Sequence, residues 1–244
     1  FSEPGAGSDL AALATRAVPD GDGWVVNGQK VWTSSAHEAQ RAILVARTNP
    51  DAPKHQGLTY FLADMTDPGV EVRPLRQITG EAEFNEVFLT DVRIPDTMRL
   101  GEVGEGWKVA NFTLNNERVA IGGQAAPRES GMIGKVTQTW RDNPEVRTPA
   151  RHDRLMAGWV EAEVFRLTGT RLRQKLAVGA PGPEGAAMKV TFARLSQELS
   201  GLEVEMLGEQ GLRYSDWTMT RPTHVEFTGR DAGYRYLRAK GNSI

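Results

Sequence analysis

The spacing of hydrophobic positions divides the chain into a first part typical of β-strands and a second part typical of helices. Four runs rich in branched and aromatic residues predict strands at residues 23–27, 42–47, 58–63 and 83–89. Clusters of Gly, Pro, Asn and Asp separate these runs and predict turns between them. Short strands at this spacing predict a small antiparallel β-sandwich or barrel.

From residue 106 onward the hydrophobic positions recur with the period of a helix. Helices are predicted at residues 107–126 and 149–178, and the second has Leu155, Trp159 and Ala162 on one face. The clearest helix covers residues 183–207 and ends at the glycines that follow it. Its predicted core positions alternate spacings of four and three: Met188, Phe192, Leu195, Leu199, Leu202 and Met206. A further helix start is predicted near residues 235–240.

The distribution of charge changes at the same place as the hydrophobic pattern. Residues 1–103 carry 9 Lys and Arg against 15 Asp and Glu, a net charge of −6, whereas residues 104–244 carry 20 against 16, a net charge of +4. We therefore predict an α+β multidomain protein with a β domain at 1–103 and an α-helical bundle domain at 104–244. The basic second part suits a phosphate-bearing ligand, or is a solvated helix face.

Composition narrows the classes of function. The chain has no cysteine, which excludes disulfides, thiolate nucleophiles and cysteine-ligated metals, and its 4 histidines lack metal-ligand spacing. No stretch approaches the roughly 20 consecutive apolar residues of a membrane helix. The net charge of −2, with no concentrated Lys and Arg stripe, argues against nucleic acid. Because Phe1 stands within a motif and follows no signal peptide or initiator methionine, we predict that it is a cut end.

Residues 1–9, with the sequence FSEPGAGSD, contain closely spaced glycines and two serines. Such a loop lets backbone N–H groups approach a phosphate or the edge of a heterocycle, but it is also common as an ordinary turn. It matches neither a Walker A loop nor a Rossmann fingerprint.

Two further segments carry candidate chemistry. In residues 27–36, Trp32 stands beside Thr33, Ser34 and Ser35, which suits a planar polar ring or, alternatively, a core tryptophan at a strand end. Residues 115–118 place two amides, a carboxylate and a guanidinium on one helical turn. Glu117 and Arg118 form a surface pair or, since adjacent helical residues point in different directions, Glu117 faces a cavity.

In this order and at this spacing, these segments resemble the acyl-CoA dehydrogenase family. The resemblance is dense over residues 1–123, becomes thinner beyond them and returns near residues 205–211. The segments that carry it are FSEPGAGSD, DGWVVNGQKVWTSSA, ART, GLTYFLADM, PGVEVRPL, FNEVFLTDVRIP, GEGWKVA and NNERVAIGG.

The resemblance implies a middle β domain followed by a truncated C-terminal helical domain, without the N-terminal helical domain, and FAD between the β and C-terminal domains. It implies that Phe1, Ser2, Gly7 and Ser8 line the pyrimidine edge of the flavin, with Ser8 also reaching the substrate. Trp32 and Thr33 would contact the isoalloxazine, and Ser34 would place its hydroxyl at flavin N5. Arg141, Glu205 and Gly208 would contact the adenine half of FAD.

The implied reaction is α,β-dehydrogenation of an acyl-CoA thioester, in which a carboxylate removes the α-proton and the flavin accepts a hydride from the β-carbon. By resemblance Glu117 is the base, and Asn115, Asn116 and Arg118 contact the substrate. The alternatives are a glutamate beyond Ile244, or a non-catalytic Glu117.

The resemblance further implies a homodimer or homotetramer, electron-transfer flavoprotein as electron acceptor, and fatty acid β-oxidation in a bacterial cytoplasm, or in the mitochondrial matrix of a eukaryote.

Residues 140–144 lack the family's Phe-Gly after Arg141, and Glu209 replaces a glycine, which puts the adenine contacts and the usual tetramer in doubt. The alternatives are an acyl-CoA oxidase or flavin monooxygenase on the same fold, and a non-catalytic binding module.

Overall fold

The computed structural model describes residues 1–121, 127–178, 183–222 and 229–243, with the backbone alone for residues 115–121. These residues form two compact units. The first, the β unit, contains residues 1–116 and 219–222, and the second, the helical unit, contains the remaining described residues.

The described part of the β unit contains one sheet of seven strands in the order β5-β6-β2-β1-β3-β4-β7. Neighbouring strands pair antiparallel except β1 and β3, which meet in parallel at Arg16 and Arg47. The strands are β1 Arg16–Asp20, β2 Gly23–Ser34, β3 Arg41–Arg47, β4 Leu58–Asp64, β5 Val70–Pro74, β6 Phe84–Pro95 and β7 Arg99–Leu100.

The predicted α+β class is confirmed, and all four predicted strands are present. The sheet is antiparallel as predicted, except for the parallel pairing of β1 with β3. The sequence pattern did not predict β1, β5 and β7. Ala17 is the only buried residue of these three strands, so they lack an apolar pattern that would indicate a strand. Their position is set by pairing with longer neighbours.

Both faces of β3 and β4 are covered, which explains their nearly continuous apolar sequences. Leu44 and Phe61 belong to one core cluster, whereas Val45 and Tyr60 belong to another that includes residues of the segment 1–13, called the opening segment. Because successive strand residues point to opposite faces, a strand buried on both sides loses the alternation of a half-exposed strand. The opening segment contributes Leu10 and Leu13 to the second cluster, and it is thereby fixed against the sheet.

Five α-helices lie in the described residues: α1 Gly106–Ile121, α2 Met132–Asp142, α3 Pro149–Ala177, α4 Glu184–Leu207 and α5 Ala232–Ala239. Helix α3 begins at an N-cap, since the Thr148 hydroxyl accepts a hydrogen bond of 3.2 Å from Arg151 N. Helix α4 ends at Gly208, whose φ of 56° is readily adopted by glycine.

The predictions of α3 and α4 are confirmed, and the predicted start near residue 235 lies inside α5. The core of the helical unit is formed by α2, α3 and α4 around Leu155, Leu199 and Leu202. The predicted stripe of α4 is buried only toward its C-terminal end, since Phe192 is 44% exposed. Helix α2 was not predicted, although Ile133, Val136 and Trp140 have helical spacing.

Candidate functional site

A buried ion pair holds the opening segment on the sheet. Lys30 Nζ donates to Glu3 Oε1 at 2.7 Å, to Val45 O at 2.8 Å and to Phe1 O at 3.2 Å. The Glu3 carboxylate also accepts from Ala14 N at 2.6 Å and from Thr15 N at 3.0 Å. The two charged side chains thereby fix the glycine-containing opening segment in place. In the sequence, this arrangement is indicated by a lysine, Lys30, among the strand-forming residues of β2.

Burial acts on the pKa of both partners. It raises the pKa of Glu3, but the charge of Lys30 and the hydrogen bonds from its neighbours outweigh burial, so that the net pKa lies below the ordinary value. Burial lowers the pKa of Lys30, and the attraction of Glu3 only partly offsets this effect. Each charge is therefore stabilised mainly by the other.

The predicted flavin segments of the β unit lie next to each other. Val31 N donates to Ser2 O at 2.9 Å, which joins the opening segment to β2 immediately before Trp32. Glu3 and Ala6 exchange two backbone hydrogen bonds of 3.0 Å and form a tight turn. Gly7 and Ser8 follow this turn and are exposed. Among the described residues, a Cβ atom added at Gly7 would contact nothing within 4 Å, which leaves room for a ligand.

Trp32 is neither in the core nor in an ordinary strand conformation. It lies where the pairing of β2 with β6 shifts register between Lys30 and Thr33, and its φ is +60°. A positive φ costs a non-glycine residue roughly 1–2 kcal/mol. The residue is nonetheless 50% exposed, and its ring meets Phe84 edge-on with the centroids 5.8 Å apart. Backbone strain that displays a large aromatic ring is typical of a functional site.

The backbone after Trp32 is hydrogen-bonded to residues 83 and 85, whereas Ser34 is exposed. The carbonyl of Thr33 accepts from Asn85 Nδ2 at 3.0 Å, and Ser35 N donates to Glu83 O at 2.9 Å. Ser34, between them, is exposed. The exposed residues therefore offer the flat ring of Trp32, the hydroxyl-bearing side chain of Ser34 and the chain at Gly7 and Ser8 after the turn. This combination fits a flat heterocycle with polar edges, such as the flavin of FAD.

Two of the predicted site residues of the helical unit, Arg141 and Glu205, take part in ion pairs within that unit. Arg141, at the end of α2, donates from Nη2 to Glu129 Oε2 at 3.1 Å. Glu205 accepts from Arg154 Nη1 at 2.5 Å and Nη2 at 3.1 Å. Gly208 is the C-cap of α4. Arg141 also lines a hollow of about 360 Å³ together with Glu129, Thr137, Trp140, His152, Leu155, Met156 and Trp159.

Helix α1 includes the positions of the predicted base and substrate contacts. The side chains of Asn115, Asn116, Glu117 and Arg118 lie outside the described part of the structure, so their roles stay predictions. Within the described ranges, no cluster of three His, Asp or Glu residues is arranged to hold a metal ion. None of the helices described combines the length and the apolar composition needed to cross a membrane.

Comparison with known proteins identifies relatives for both units. Residues 1–92 match the family model of the acyl-CoA dehydrogenase middle domain, and residues 104–234 match that of the acyl-CoA dehydrogenase C-terminal domain. Acyl-CoA dehydrogenase FadE34 of Mycobacterium tuberculosis is 47% identical over 215 residues, which cover 87% of this chain and 29% of that protein. Acyl-CoA dehydrogenase IpdE1 of the same organism is 40% identical over 219 residues, which cover 88% of this chain and 56% of that protein.

A solved structure extends the similarity to the whole fold. The structure described as Tcur3481-Tcur3483 steroid ACAD superposes with a TM-score of 0.83 at 26% identity, and the match covers 100% of this chain and 62% of that one. Because a family model matches more than half of the chain, and the predicted segments occur in order, the chain belongs to the acyl-CoA dehydrogenase family.

Proposed function

We propose that the protein catalyses the FAD-dependent α,β-dehydrogenation of an acyl-CoA thioester. The observation that carries this proposal is the hydrogen bond from Val31 N to Ser2 O, which joins the opening segment to β2 immediately before the exposed Trp32 and near the exposed Ser34. Since the chain spans 29% and 56% of the two curated relatives, the activity of the whole protein is inferred from its family and from this surface.

When bound, FAD would supply a two-electron acceptor for the hydride that leaves the β-carbon. The residues of this chain would bind and orient it. Trp32 would pack on the flat ring, with Thr33 beside it, and the Ser34 hydroxyl would donate a hydrogen bond to N5. The backbone from Phe1 to Ser8 would line the pyrimidine edge.

Proton abstraction is assigned to Glu117, with a glutamate beyond Ile244 as the alternative. An α-C–H bond is far too weakly acidic for an ordinary carboxylate, so the thioester carbonyl must be polarised and the base desolvated, which raises its pKa. Asn115, Asn116, Arg118 and Ser8 are proposed to contact the acyl-CoA.

Arg141, Glu205 and Gly208 are proposed to contact the adenine half of FAD. Arg141 already pairs with Glu129, so a phosphate would have to share or replace that carboxylate. The family assignment also underlies the proposals of electron-transfer flavoprotein as the electron acceptor and of a homodimer or homotetramer.

The test is a titration of the FAD-loaded full-length protein with CoA thioesters under anaerobic conditions. The panel contains straight-chain, branched and steroid side-chain thioesters, the last because one structural relative is described as a steroid ACAD. We expect at least one thioester to bleach the visible absorption of oxidised flavin. A protein that binds FAD but is bleached by none of them would contradict the proposal.

Two further outcomes would favour the alternatives. Rapid reoxidation in air after bleaching would indicate an acyl-CoA oxidase or flavin monooxygenase. Purified protein that shows no flavin absorption and takes up no added FAD would instead indicate a binding module without catalysis.

A further inference from the structure

Residues 219–222 are distant in sequence from the rest of the β unit but pair with it beside the proposed flavin surface. Thr220 pairs with Glu81 in a parallel bridge, and Ala82 N donates to Thr220 O at 2.7 Å. The next residue, Arg221, donates from Nη2 to Asn85 Oδ1 at 2.5 Å, across 136 positions of sequence. Backbone and side-chain contacts thus attach residues 219–222 where β6 begins.

Asn85 is completely buried, and its amide links several parts of this region. It lies on β6 opposite Thr33 of β2. While Oδ1 accepts from Arg221, Nδ2 donates to Thr33 O at 3.0 Å and to Glu83 O at 3.2 Å. His37 Nδ1 lies 3.3 Å from the same nitrogen.

The guanidinium of Arg221 and the carbonyls of Thr33 and Glu83 together set which way this amide points. Arginine has donors only, so it can be satisfied by Oδ1 but not by the NH₂ group of Asn85. If the amide were reversed, two donors would face each other, and Oδ1 would face the carbonyl oxygens of Thr33 and Glu83. Burial makes both mismatches costly, because water cannot replace the lost partners.

The carbonyl held by Asn85 belongs to the peptide bond between Thr33 and Ser34. Fixing this peptide plane fixes the backbone direction from which the Ser34 side chain leaves the chain. Its neighbour Ser35 is fixed by its own hydrogen bond to Glu83 O, the carbonyl that Asn85 also contacts. Ser34 itself is exposed, so backbone constraints are the main control of its orientation.

We propose that Arg221 is a positioning residue that acts through Asn85 to orient the Ser34 hydroxyl toward the flavin. This inference rests on the proposed function, in which Ser34 meets flavin N5. A simpler role for Arg221 would be to anchor residues 219–222, but the backbone hydrogen bond from Ala82 to Thr220 already contributes to that. The two roles differ in what they require of Asn85.

Three variants of the full-length protein separate these roles. Arg221→Met removes the donor to Asn85, whereas Arg221→Lys retains a cationic donor. Asn85→Asp keeps an acceptor for Arg221, and hence the anchor, but loses both hydrogen bonds from Nδ2. The matched control is Arg93→Met, because Arg93 is an exposed β6 residue that pairs with Asp20.

The first measurement is amide hydrogen exchange at Ser34 and Ser35 in the FAD-free protein, which does not depend on activity. Arg221→Met and Asn85→Asp should speed exchange there by about tenfold, the factor expected for the loss of one ordinary hydrogen bond. Arg221→Lys and Arg93→Met should resemble the wild type.

The second measurement is flavin reduction by a bleaching thioester. Misplacing a group at the reacting centre by about 1 Å can cost about a hundredfold in rate, so we expect Arg221→Met and Asn85→Asp to slow reduction by about tenfold or more. KM should change little. Arg221→Lys should recover most of the rate, since it restores the donor.

The outcomes distinguish this inference from the proposed function. If no thioester reduces the wild-type flavin, the proposed function fails, while the exchange measurement still decides whether Arg221 controls the backbone at Ser34. If Arg221→Met folds and matches wild type in exchange or in reduction rate, the inference is overturned. If Arg221→Met does not fold, Asn85→Asp decides, and wild-type behaviour of that variant overturns the inference equally.

Discussion

Lys30 and Glu3 form an ion pair of 2.7 Å in which the side chains are only 5% and 7% exposed. The pair joins the opening segment to the interior of the sheet, and each partner also binds backbone groups of other segments. It therefore connects the stability of the β unit to the shape of the proposed flavin surface.

Replacing Lys30 by methionine should destabilise the β unit by about 3–5 kcal/mol, because Glu3 would stay buried without a counter-charge. The double variant Lys30→Met with Glu3→Gln should recover part of this loss. Urea unfolding of the full-length protein measures both. Lys54→Met is the matched control, since the pair of Lys54 with Asp9 is exposed and its loss should change stability little. An equal effect of the two single lysine variants would contradict the role of burial.

The strain at Trp32 predicts different effects of two small replacements. Trp32→Gly removes the penalty of a positive φ, whereas Trp32→Ala retains it, so the glycine variant should unfold with a free energy about 1 kcal/mol higher than the alanine variant. Both variants lose the exposed ring and should bind FAD more weakly. Thermal unfolding without FAD and a flavin-binding titration test the two statements separately. Equal FAD affinity in wild type and both variants would exclude Trp32 from the flavin surface.

Asp96 predicts a contribution to stability that disappears in acid. Hydrogen bonds from Arg99 and then from Trp24 lower its pKa from 3.8 to about 2. Because the folded pKa is the lower one, this contribution is present above about pH 4 and is lost as the pH falls toward 2. The free energy of unfolding of Asp96→Asn should thus lie below that of wild type at pH 5 and approach it near pH 2. A difference that does not depend on pH would contradict this assignment.

Glu203 and Arg235 form the corresponding buried pair of the helical unit. Arg235 Nη2 lies 2.6 Å from Glu203 Oε1, which also accepts from Thr139 Oγ1 at 3.1 Å. The three residues connect α4, α5 and α2. Arg235→Met should lower the free energy of unfolding by about 3–5 kcal/mol, since it leaves a buried carboxylate unpaired. Arg194→Met, which removes an exposed arginine of α4, should have a much smaller effect in the same urea titration.

Glu117→Gln tests the assignment of the base. If Glu117 removes the α-proton, the variant should bind FAD and acyl-CoA but reduce the flavin about 10²- to 10⁴-fold more slowly, the range typical of a general base. The control is Glu145→Gln, since Glu145 is exposed in a short helical turn between α2 and α3. Stopped-flow reduction at a near wild-type rate would assign the base to another residue.

Local pattern was sufficient for much of the fold. The core position of Leu199 and the end of α4 at Gly208 follow from helical spacing and a glycine that accepts positive φ. The four apolar strands were equally clear, and the family could be recognised from motifs in series. For the candidate site, the sequence predicted that Trp32 and the opening segment both contact the flavin. The hydrogen bond from Val31 N to Ser2 O brings these two segments together, while their role stays a prediction.

The sequence by itself therefore determined the class of elements, the family and the residue types available for the site, because periodicity and motifs are properties of neighbouring positions. Only the tertiary structure decided the parallel pairing of β1 with β3, the burial of Lys30 against Glu3 and the contact of Arg221 with Asn85. Each of these joins residues distant in sequence, and each is stable because folding removes water from charges or backbone groups that must then find a partner inside the protein. No local pattern specifies which partner that is.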